Sequence, residues 1–167
     1  MIIRGIAVII QVIVLYLLQT SVFTSFALAG VVPDLLIIPV IAVAFTRGPN
    51  KGMMTGFICG LLVDFTYSSF LGLFALMYLV IGFITGYANK IYDDNDYTLP
   101  VILVSISELL YNLMYYIFFY FLKGKLNFGF YLYRFMIPKV IYTVLISLIL
   151  YRIFNLENIF FKRFDRQ

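Results

Sequence analysis

Four glycines and an acid stand at four-residue steps: Gly48, Gly52, Gly56, Gly60 and Asp64. On an α-helix such residues share one face. The residues between them include Met53, Met54, Phe57, Ile58, Leu61, Leu62 and Val63. A small-residue stripe on an apolar helix lets a neighbouring backbone approach closely, as at small-xxx-small interfaces in lipid. The ladder therefore predicts a helix-packing seam in a membrane protein, ending in a carboxylate. The same physics serves two purposes, packing within one chain or docking of a partner's transmembrane helix. The first is the commoner use.

Composition agrees with a bilayer solvent. Charged residues make up 12% of the 167, and mean hydropathy is +1.02. Soluble domains average roughly 25% charged residues. Hydrophobic runs cover 5–26, 32–45, 51–67, 71–88, 98–122 and 135–154. We read them as six membrane helices of one all-α domain spanning 1–167. A full crossing takes roughly 20 residues, so the second and third runs are short. Pro39 lies within the second. Arg4, the first apolar run and Ala27-Leu28-Ala29 have the outline of a signal peptide. The run is long for that role and further runs follow, so it is read as a retained span.

Lys and Arg set the expected topology. With the N-terminus inside, Arg4, Arg47, Lys51, Lys90, Arg152, Lys162, Arg163 and Arg166 are cytoplasmic. Lys123, Lys125, Arg134 and Lys139 fall at the outer side. Both termini are then cytoplasmic, and the aromatic stretch Leu126–Phe135 lies in the outer interface. Arg47-Gly48-Pro49-Asn50 reads as a turn, Asp93-Asp94-Asn95-Asp96 as a short acidic loop, and Pro138 as a first-turn residue of helix six. Asp34, after Pro33, is placed in the first turn of helix two, where the dipole favours an acid.

The residue inventory argues against an enzyme. Histidine is absent and Cys59 is the one cysteine. Ser-His catalysis and His- or Cys-ligated metal sites are thereby removed. No cofactor, metal or nucleic-acid partner is expected. Two acids remain as intramembrane candidates. Asp64 is expected to pair with Lys139 or Arg134, or to reach water at the interface. Glu108 shares a helix face with Ser105, Asn112 and Tyr115. It is expected to be protonated and bonded to Asn112 or Gln11, with a ligand or ion site as the alternative.

Several of these residues, in order, resemble one family. They are Leu18-Gln19, Pro33-Asp34-Leu35-Leu36, Arg47-Gly48 with Lys51-Gly52, and Gly56-Phe57 with Gly60-Leu61-Leu62-Val63-Asp64. Leu71-Gly72, Ala75-Leu76, Tyr78 and Gly82 follow. The pattern is similar to the rod shape-determining protein MreD, over residues 18 to 90. The resemblance implies a multi-span protein of the bacterial inner membrane, without enzymatic activity. It implies a scaffold role in cell elongation and peptidoglycan synthesis, with MreC as partner. RodA and a class B penicillin-binding protein are implied beyond MreC, and the MreB filament indirectly. It also implies a fold like the substrate-binding component of energy-coupling-factor transporters. Pro33, Asp34, Gly48, Gly52, Gly56, Gly60, Asp64, Gly72 and Gly82 become the candidates for partner binding or helix packing. Glu108 and Asn112 are the intramembrane polar pair. A vitamin-transporter component and a small ion-coupled transporter are the competing functions. The first typically carries an Ala-xxx-Ala face on helix one, where this chain has Ala7 and then Gln11.

Overall fold

The computed structural model of the chain is built from helices. It describes residues 2–22, 25, 27, 30–68, 72–91, 98–124 and 126–164, and the side chains of these except 2–4 and 153–164. The acidic loop Asp93–Asp96, together with Leu28, Ala29, Leu71 and Lys125, lies outside the described residues. So do Arg166 and the side chains of Arg4, Lys162 and Arg163.

Helix α1 (Ile2–Leu17) continues through a π-helical turn, Leu18–Val22. An irregular segment leads to α2 (Ile37–Arg47), and α3 (Pro49–Tyr67) follows almost at once. Next come α4 (Leu73–Gly86), with a 3-10 turn at Tyr87–Ile91, and α5 (Thr98–Phe119), with another at Phe121–Lys123. A one-turn helix, Phe128–Tyr131, and a π turn, Leu132–Met136, feed α6 (Ile137–Phe164).

Among the described residues, four helical stretches are long and apolar enough to cross a membrane: Gly5–Val22, Leu73–Ile91, Thr98–Lys123 and Phe128–Arg152. Helices α2 and α3 do not meet that standard, which qualifies the expectation of six equivalent spans. At 11 residues α2 is about 16 Å long, against a hydrocarbon core of about 30 Å. Its shortness follows from Pro33 and Asp34, which belong to the irregular segment; the helix starts only after Leu36. Pro39 is in its first turn, where no intrahelical amide bond is lost. Helix α3 is long enough but spends its buried face on glycine.

Helix α2 is the centre of the molecule. Leu35, Leu36, Ile37, Ile38, Val40 and Ile41 are buried in one cluster with Cys59, Val63, Met77, Tyr78 and Ile81. Lipid-type exposure falls elsewhere: Ile9, Ile10, Ile13 and Leu17 of α1, and Ile141, Leu145 and Ile149 of α6, point outward.

Helices α3 and α4 are the most closely associated pair. A Cβ added to Gly52 would strike the Gly82 carbonyl oxygen at 2.6 Å, and one added to Gly60 the Phe74 carbonyl oxygen at 2.6 Å. At Gly56 it would meet the Tyr78 carbonyl, and at Gly86 the Pro49 backbone. The two helices thus run antiparallel at backbone contact, and the lower three rungs of the ladder face α4 of the same chain. Gly48 departs from the expected ladder. With φ at +88° it is the break between α2 and α3, a backbone state that glycine tolerates and L side chains do not. Gly72 (φ +108°) has the same duty ahead of α4.

Candidate functional site

The polar groups that sequence reading singled out gather at one end of the bundle, in two places. The first is the end of the seam. Asp64 is 1% exposed, so it neither reaches water nor pairs with Lys139 or Arg134 as expected. Its carboxylate accepts hydrogen bonds from the backbone amides of Gly72 (3.0 Å), Phe74 (3.2 Å) and Ala75 (2.9 Å). The first amides of a helix have no partner within it, and its N-terminus carries partial positive charge. Asp64 answers both needs of α4 from across the turn. These amides are nearer than any cation and cannot otherwise be satisfied in an apolar setting, which is why they win the carboxylate.

The second place joins α1, α2, α5 and α6. Gln19 Oε1 accepts from the amides of Leu35 (2.9 Å) and Leu36 (3.3 Å). Thr143 Oγ1 accepts from the Asp34 amide at 3.1 Å. The irregular backbone ahead of α2 is thereby satisfied by side chains, as a non-helical segment at membrane depth requires. Asp34 is two residues before the α2 cap instead of in its first turn. Its carboxylate, 2% exposed, accepts from the Tyr78 hydroxyl and lies 3.9 Å from Lys139 Nζ. The same ammonium is 3.5 Å from Glu108 Oε1 and sits 4.4 Å from the centre of the Tyr111 ring. Glu108 is fully buried. Asn112 Nδ2 donates to its carboxylate (3.2 Å) and to its backbone carbonyl (2.7 Å), the first of the two expected partners. Glu108 Oε2 has no hydrogen-bond partner among the described residues.

Beside this junction lies a part-open cavity of about 350 Å³. Gln19, Asp34, Asn112 and Lys139 give it polar points. Tyr67, Phe74, Tyr78, Tyr111, Tyr115 and Tyr131 give it aromatic walls. Phe74 stacks on Tyr111 (6.4 Å), Tyr115 (6.0 Å) and Phe119 (5.6 Å), so one wall is a continuous slab of rings.

Sequence reading found Asp34, Glu108, Asn112 and Lys139, but placed only the Glu108–Asn112 contact. Pro33 lines the cavity and Gly82 is in the seam. The structural roles of Gln19, Tyr78, Tyr111 and Thr143 were missed. A side-chain amide at the end of the first apolar run was the available signal for Gln19.

A chain with, among the described residues, four helices apt to cross a bilayer and internal polar groups tying helices together is of the helical membrane class. The family described as rod shape-determining protein MreD matches residues 1–159 of the 167. The chain belongs to that family, and its role lies in the determination of rod shape. No curated protein and no solved structure matches it.

Proposed function

We propose that this chain is a non-enzymatic scaffold of the bacterial elongation machinery. It crosses the cytoplasmic membrane six times, counting α2 and α3, with both termini cytoplasmic. It binds MreC and, with it, supports RodA and its class B penicillin-binding partner, linked indirectly to MreB. The family match over nearly the whole chain is the observation that carries this reading. The distribution of Lys and Arg supports the orientation.

The surface offered to the partner is the aromatic stretch ahead of α6. Phe130 is 67% and Tyr133 is 74% exposed, with Leu122 and Leu126 exposed nearby. Large aromatic side chains are the residues that most often anchor interfaces. The block from Pro33 to Asp64 then acts indirectly, since Asp34 and Asp64 face inward and Gly52, Gly56 and Gly60 are taken by α4. It holds rigid the bundle end on which the aromatic stretch is mounted.

Affinity purification from native membranes in mild detergent tests the reading. Recovery of MreC with the elongation synthase supports it. Recovery of paired ATPase subunits instead would move the chain to a vitamin-transporter component, the reading that the cavity favours.

A further inference from the structure

At the junction beside the cavity two acidic side chains face one basic one. Two carboxyl groups, Asp34 and Glu108, share the single ammonium of Lys139, at 3.9 and 3.5 Å. Both acids are buried, and Glu108 Oε2 has no partner among the described residues. Uncompensated charge in a low-dielectric interior is strongly unfavourable. Asp34 retains acceptor capacity, because among the described residues the Tyr78 hydroxyl is its side-chain donor and Lys139 stands beyond hydrogen-bond distance.

The space next to this surplus is lined by rings. Ring faces attract cations through their quadrupole, and aromatic boxes are the usual receptors for substituted ammonium groups. The molecule already uses this chemistry, since Lys139 places its own ammonium 4.4 Å from the Tyr111 ring centre. A bare inorganic ion would call for a tight nest of oxygens. A volume of about 350 Å³ with tyrosine and phenylalanine walls suits an organic cation instead.

We propose that this cavity binds a small organic ammonium group, held by Asp34 and by the rings of Tyr78, Tyr111 and Tyr115. The group belongs either to a free amine or to the amino headgroup of a membrane lipid. The assignment is independent of which protein partner the chain binds, and it is tested on the chain alone.

The full-length chain is purified in a neutral detergent, and its helicity is verified by circular dichroism. Equilibrium dialysis then measures binding of radiolabelled choline and ethanolamine, with sodium and potassium chloride as competitors at equal ionic strength. The expected result is saturable binding of one equivalent, little affected by the alkali cations. Asp34→Asn should bind about tenfold more weakly, since it removes a charge-assisted contact. Tyr115→Leu, at a half-buried ring that is not itself a member of the ion pair, serves if the first variant does not fold, and should also weaken binding. A second arm uses nanodiscs of phosphatidylglycerol with and without phosphatidylethanolamine. Co-purification of the aminolipid, with loss of free-amine binding in its presence, assigns the lipid as source; binding of the free amine in both assigns the soluble one. Absence of saturable binding by folded wild-type chain would overturn the proposal, leaving a proton as the missing charge. Equal displacement by sodium, or binding indifferent to both variants, would overturn it as well.

Discussion

The two polar ends of this bundle solve the same problem by opposite means. At the α3–α4 seam the backbones touch, and one carboxylate, Asp64, answers three amides of the neighbouring helix. Everything there is satisfied locally, within about a dozen residues of chain. At the junction of α1, α2, α5 and α6 the backbones are less closely associated. Side chains from distant parts of the sequence bridge the gap, and two acidic side chains share one ammonium. The first arrangement is a finished structural joint. The second keeps space and unspent bonding capacity, which is the condition under which a membrane protein can take a ligand or change state.

The contrast can be broken from either side. The largest effect is expected at Lys139. Lys139→Met leaves two buried acids without a cation, and loss of about 4 kcal/mol of stability is expected, by analogy with single-partner deletions in buried pairs. Adding Asp34→Asn and Glu108→Gln should recover most of it. Thermal unfolding of the single and triple variants, followed by circular dichroism in detergent, checks this, and a triple variant no more stable than the single one would refute it. Next comes the seam. Gly56→Leu drives a side chain into the Tyr78 carbonyl, and about 3 kcal/mol should be lost, with no second-site charge change able to restore it. Membrane abundance and unfolding midpoint report the loss. Asp64→Asn is gentler. It keeps one acceptor for the α4 amides but removes the charge at the helix terminus, so about 1 kcal/mol is expected. The same unfolding measurement resolves it, and a change as large as that for Gly56→Leu would show that Asp64 does more than cap α4. The smallest stability effect, within about 0.5 kcal/mol, belongs to Phe130→Asp on the exposed aromatic stretch. That variant should fold normally yet lose MreC in the affinity purification. Normal recovery would remove this stretch from the partner surface.

The same contrast explains what could be read from sequence. Gly52, Gly56 and Gly60 announced their seam because helical periodicity is local, and a stripe of small residues has few other meanings in an apolar chain. Helix existence followed from hydropathy for the same reason. Gly48 was read both as a rung and as part of the turn Arg47-Gly48-Pro49-Asn50; the turn holds and the rung does not, because a four-residue step cannot show that the helix is interrupted. Partners at long range stayed hidden. Charge pairing from topology matched Asp64 with Lys139 by depth alone, and depth cannot weigh a lysine against three unsatisfied amides eight to eleven residues away. Nothing local to Asp34 indicates Lys139 or Thr143, and nothing local to Gln19 indicates the amides of Leu35 and Leu36. The cavity is a property of how six helices leave room, and no single segment encodes it.

One bond has a bearing on how the protein is made. The Asp34 amide is met by Thr143, 109 positions later in the chain. The ribosome delivers α1 to α4 to the membrane long before α6 emerges. During that interval the α3–α4 seam already has its backbone contacts and its Asp64 cap, while the amide of Asp34 still lacks Thr143 and its carboxylate has Tyr78 but not Lys139. An unfinished or truncated chain therefore carries a polar flaw at membrane depth that only the last helix removes. Arrival of α6 is thus the step that meets the amide and brings Lys139 to both acids.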